Sequence, residues 1–186
     1  MSATLELVAS RGFDATPVTA IEEAAGLIPG NGSFYRHFAS KQEALARAVD
    51  QEVTRIRNLE DQPVINANNE GRQSKQIRVR DHFLRDLDQL KAMRNLILIL
   101  ARDRERLPEV VKTIRQTLLD TGLVGYSELF DGSTGVEVSP VGVVILSALV
   151  GYHLSSEYFG APPGNVDPKE FASILADLAI SRAGNA

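Results

Sequence analysis

Apolar residues recur at helical spacing along most of the chain, and no segment alternates apolar and polar positions between hairpin turns. Leu5, Val8 and Ala9 predict a first helix over Ala3–Ser10, stopped at Gly12. Thr19 and Glu22 have the spacing of a capping box, which predicts a short second helix over Ala20–Ala25 ended by Gly26. Leu27–Gly32 reads as a turn. Phe34, Tyr35 and Phe38 then predict a third helix of about two turns. Ser40 with Glu43 forms a second capping box, and Leu45, Ala48, Val49 and Ile56 carry the next helix to about Arg57. Pro63, Asn66, Asn68, Asn69 and Gly71 mark a break.

Beyond that break the pattern predicts helices over Ile77–Leu90 and Lys91–Arg104, the latter closed by a charged run, Arg102–Arg106, read as a solvated turn. Pro108 suits the first position of a helix striped by Val111, Ile114, Leu118 and Leu119 and continuing towards Phe130. A loop over Asp131–Val138 precedes Ser139-Pro140, a cap followed by proline at the first helical position. Val141–Leu154 is apolar on nearly every face, which predicts a helix covered on both sides. Asp167-Pro168-Lys169-Glu170 caps a last helix with Phe171, Ile174, Leu175 and Leu178 as a one-sided stripe. The fold class is all-α. Division near the break predicts domains 1–58 and 59–186.

Composition narrows the chemistry. The chain of 186 residues has no cysteine, which excludes disulfides, thiolate metal sites and a cysteine nucleophile, and fits a reducing cytoplasm. The N-terminus has no signal-peptide pattern, and Pro140–Ser156, with Gly142, Ser147, His153 and Ser155, reads as a buried or interface helix rather than a membrane span. The net charge is −4, and the first sixty residues hold Arg11, Arg36, Lys41, Arg47, Arg55 and Arg57 against eight acids. Contact with nucleic acid therefore depends on local placement of donors rather than on a basic surface. There is no HExxH, P-loop or GxSxG pattern, and the histidines are His37, His82 and His153. No enzyme activity, cofactor or metal is expected.

The stretch from Thr19 to Lys41 carries most of the functional signal. Helix, tight turn, helix is the geometry that lays a second helix in the DNA major groove. Tyr35 and His37 can donate to phosphate oxygens, and Lys41 falls in the first turn of a helix, where backbone amides favour anions. Gly30 and Gly32 allow close approach of the backbone.

The residues RGFDATPVTAIEEAAGL and SFYRHFASKQEAL resemble the DNA-binding domain of the TetR family of transcriptional regulators, over Leu5–Ala48. The resemblance implies phosphate-side or groove-side contacts from Thr19, Ser33, Tyr35, His37 and Lys41, and base contacts from the edge formed by Asn31, Gly32 and Arg36. It also implies a C-terminal domain that binds a small-molecule effector and dimerises through the last two helices, Pro140–Tyr158 and Asp167–Arg182. The expected effector-pocket residues are Phe83, Leu87, Leu90, Met93, Ile97, Leu100, Ile114, Leu118, Tyr126 and Tyr152, with His82, Arg94 and His153 as polar candidates. Function is then expected to be that of a homodimeric repressor, released from a palindromic operator by its ligand. Two departures stand out. Gly26 to Tyr35 is two residues longer than the common family pattern, and the first helix begins almost at Met1, where the family usually has a basic arm and a further helical turn. The other readings of the residues are an all-α enzyme and a helical interaction module that has lost DNA binding.

Overall fold

The computed structural model describes residues 2–60, 72–116, 123, 126 and 139–183. Among them are eight α-helices and no strand: α1 Ser2–Arg11, α2 Val18–Ala24, α3 Lys41–Glu60, α4 Arg72–Ala92, α5 Arg94–Asp103, α6 Pro108–Arg115, α7 Pro140–Tyr158 and α8 Pro168–Ala183. The predicted all-α class is thus correct. The break at 63–71, the loop at 131–138 and the pocket candidate Leu118 lie outside the described residues.

The chain packs as two compact units, Met1–Asp61 with Met93–Leu118, and Gln62–Ala92 with Leu119–Ala186. In the first, α1 packs on α3 and α5, and α6 on α3 and α5. Their shared core contains Leu5, Val8, Leu45, Val49, Ile56, Leu96, Ile99, Leu107, Val110 and Ile114. A smaller cluster of Ile21, Phe34 and Ala44 seats α2 and the segment after it. In the second unit α4 packs mainly on α8 and also on α7.

Several local signals operate as expected. The Ser40 hydroxyl accepts from the Glu43 amide at 3.1 Å, and the Glu43 carboxylate reaches back to the Ala39 amide at 2.7 Å. Asp167 caps α8 by accepting from the Lys169 and Glu170 amides at 2.8 and 3.1 Å. Ser139 accepts from the Gly142 amide at the start of α7. α7 is long and apolar enough to cross a membrane by length and composition. Here one face of it, with Ile145, Leu149, Tyr152 and His153, is buried.

Three expectations are corrected. The Thr19–Glu22 capping box does not form, because α2 starts one residue before Thr19, with Pro17 at the cap and no side-chain cap. The helix expected over Phe34–Phe38 is a single 3₁₀ turn, Phe34–Arg36. Proline at 29 biases Ile28 away from helical backbone, and Gly30 and Gly32 take φ of +78° and +75°, so no helix can begin before Ser33. The charged run at 102–106 is not merely a solvated turn. Asp103 is buried and accepts from the Phe13 amide at 3.2 Å. Arg102 donates to the carbonyls of Ala9 and Ser10, satisfying orphan acceptors at the end of α1. Arg106 pairs with Asp14 at 3.2 Å.

Candidate nucleic-acid interface

The interface candidate is built on two anchors. The first is Phe34, which is buried among Ile21 and Ala44, with its ring 5.2 Å from that of Phe38 and 5.3 Å from that of Tyr35. With Phe34 buried, the three residues that follow it face outward: Tyr35 is 62% exposed, and Arg36 and His37 are exposed beside it. Thr19, Asn31 and Gly32 are also exposed.

The second anchor is Glu22, only 2% exposed. One carboxylate oxygen accepts from the Gly30 amide at 2.7 Å; the other accepts from the Phe34 amide at 3.1 Å and the Ser33 hydroxyl at 3.3 Å. A single side chain of α2 thereby holds both ends of the turn between the two helical pieces. The Gly30 amide, then the Phe34 amide, draws the Glu22 carboxyl below the ordinary glutamate value, outweighing burial, which acts the other way. Asn31 closes the turn by accepting from the Ser33 amide at 3.0 Å.

The expected contact residues therefore divide. Thr19, Asn31, Gly32, Tyr35, Arg36 and His37 lie on the surface. Ser33 is buried and its hydroxyl is committed to Glu22. Lys41 is half-buried; its ammonium donates to the Phe13 and Thr16 carbonyls at 2.6 and 2.8 Å and lies 4.2 Å from the centre of the Phe13 ring. Two of its three protons are thus used to tie the α1–α2 connection to the start of α3.

The pocket candidates also divide. Met93 and Ile114 belong to the core of the first unit, with Ile97 and Leu100 packed against it. In the second unit Phe83, Leu87 and Leu90 are buried on α4. There Tyr126 donates to Asp86, whose carboxylate is also 3.5 Å from His82. The Tyr126 ring meets those of His82 and Phe83 edge-on, with centres 6.0 Å apart in each case. Burial raises the Asp86 carboxyl above its ordinary value, against the opposing charge of His82, and raises the Tyr126 phenol well above its own. Tyr152 is engaged elsewhere: it stacks on Phe171 at 4.2 Å and donates to the Val166 carbonyl at 2.8 Å. His153 is buried with its Nε2 unpartnered among the described residues, and burial lowers its basicity. An open cleft of about 280 Å³ lies between α4 and α8, lined by Gln73, Gln76, Ile77, Arg80 and Ser173, none of which was expected from sequence.

Glu22 and Asp86 carry the polar geometry of these places, and neither was assigned these roles from sequence. Asp86 had a signal, its position four residues from His82 on one helix. Glu22 had a different signal, its capping-box spacing from Thr19, which pointed to the start of α2 rather than to the turn.

Comparison with known proteins agrees with the geometry of the N-terminal segment. The model of the bacterial regulatory proteins, tetR family, matches residues 1–49. Residues 1–49 are thus similar to the N-terminal part of that family, which carries its helix-turn-helix. A crystal structure of a candidate TetR-family transcriptional regulator from Mesorhizobium loti MAFF303099 shares the fold. It aligns over 98% of this chain and 91% of that one, with a TM-score of 0.56 and 16% identity. No curated protein sequence matches the chain.

Proposed function

We propose that this protein is a homodimeric, cytoplasmic transcriptional repressor that binds a palindromic DNA operator and is released by a small-molecule effector, with no enzymatic activity. The observation that carries the reading is the outward display of Tyr35, Arg36 and His37 around a buried Phe34, within the segment that matches the tetR-family model. Tyr35 and His37 supply phosphate donors, with Thr19 at the start of α2 and the remaining proton of Lys41 at the start of α3. Phosphate contacts set register and carry no sequence information.

The functional division at 58/59 assigns effector binding to the C-terminal part. There Phe83, Leu87 and Tyr126 are buried beside the Asp86–His82 pair, so a ligand with an aromatic body and a donor group would reach them by opening that packing. Dimerisation through α7 and α8 is supported by their outward apolar residues: Val144 is 65%, Ile174 52% and Leu178 61% exposed. A two-fold pair would present its two reading segments about 34–36 Å apart, or a multiple of that. Mobility-shift assays with DNA from upstream of its own gene test the reading. Specific, salt-sensitive binding, weakened on all sequences alike by Tyr35→Ala, is the expected result; no specific binding by folded dimer overturns it. A helical interaction module without DNA binding is the second reading, favoured by the reduction of the expected groove helix to one 3₁₀ turn. Intact dimers that enrich no DNA sequence would support it.

A further inference from the structure

The expected groove-reading helix is three residues long, about 6 Å at the 3₁₀ rise, too short to aim several side chains along a groove. The segment before it is longer, outward-facing and held still. Residues 27–32 are all exposed, with Ile28 73% and Leu27 43% exposed, while Glu22 beneath them is buried with both oxygens committed. A buried carboxylate with three donors fixes a loop far more tightly than its glycines alone would allow. The Asn31 side-chain oxygen is occupied by the Ser33 amide, which fixes the orientation of the amide group and turns its two N–H donors away from the turn.

Resting on the DNA-binding reading above, we infer that the Leu27–Gly32 loop is the base-reading element, with Ile28 contacting a thymine methyl, Asn31 donating to an acceptor edge in the major groove, and Glu22 as the residue that positions both. The chemistry follows from what the loop displays. An exposed branched aliphatic side chain has one apolar partner on the major-groove floor, the thymine C5 methyl, and an amide N–H2 matches the acceptors N7, O6 and O4. The backbone at Gly30 and Gly32 carries no side chain to hold the loop away from the duplex.

The test begins by selecting a binding site from random duplex DNA with the full-length protein. Each thymine of that site is then replaced singly by uracil, and binding is measured for the wild type, Ile28→Ala, Asn31→Ala and Glu22→Gln. Wild-type affinity should fall about fourfold at one thymine per half-site, the worth of one buried methyl. Ile28→Ala should be indifferent to that replacement. Asn31→Ala should lose roughly tenfold in discrimination at one neighbouring position. Glu22→Gln keeps a single acceptor oxygen; it should retain helix content and non-specific affinity while losing discrimination at both positions. A wild type that binds its site but ignores every methyl, or an Ile28→Ala protein with unchanged preferences, overturns the inference and leaves DNA binding standing. Unchanged preferences in Glu22→Gln overturn the positioning role. Absence of any selected site overturns this inference together with the function it rests on.

Discussion

Lys41 is a residue whose chemistry points two ways. A lysine in the first turn of a helix invites an anion, but here the ammonium faces inward onto two carbonyls and an aromatic ring. Lys41→Ala removes charge-assisted hydrogen bonds and strands the Phe13 and Thr16 carbonyls, so it should destabilise the fold by about 1–3 kcal/mol, read as a lowered urea midpoint. A pure phosphate contact would leave that midpoint unchanged. Glu22 yields the pH prediction. Its carboxyl is held below the ordinary value of 4.5 in the folded protein. Its contribution is therefore fully present above the unfolded value and is lost as pH falls through the lower, folded value. The Gly30 amide resonance should move over that acid range in the wild type and stay flat in Glu22→Gln. Neither role was legible in sequence. A carboxylate near a helix start reads as a cap, and an acid in a charged run reads as solvated. What decides otherwise for Asp103 is the Phe13 amide, a partner ninety residues away.

At the scale of elements, the starts of α3, α7 and α8 were legible because their causes are local, whereas that of α2 was misread as a Thr19 cap. Ser40 with Glu43, Ser139 with Pro140, and Asp167 with Pro168 each sit within one turn of the backbone groups they satisfy. The groove helix was not, although its breakers were in plain view. An aromatic stripe at helical spacing suggested two turns, while Pro29, Gly30 and Gly32 confined the helix to one tight turn. The last helix shows the complementary limit. Phe171, Ile174, Leu175 and Leu178 form an apolar stripe by spacing, yet the face that packs within the chain is Ala172, Leu175, Ala176 and Ala179. Small residues let α4 approach closely, and the larger Ile174 and Leu178 are turned outward. Period alone gives a stripe; which part of it the chain itself covers depends on the size of each side chain. Leu178→Glu, alone or with Val144→Glu, should leave helix content intact and shift sedimentation from dimer to monomer if that outward surface is the dimer interface. An unchanged dimer would place the interface elsewhere.

At the scale of the molecule, the proposed activity joins a DNA-facing segment to a helical body that carries the Asp86–Tyr126 pair. The net charge of −4 gives no general attraction to DNA, so affinity has to come from a few placed contacts and from pairing two of them across a dimer. That predicts modest non-specific binding and a strong dependence on symmetry in the target. Binding of the purified full-length protein to a pool of random duplex DNA, followed by titration of the enriched sequence at increasing salt, tests this most directly. The account predicts enrichment of a palindromic site, bound by two chains, with affinity falling steeply as salt rises. A folded, dimeric protein that enriches no sequence at low salt would contradict it.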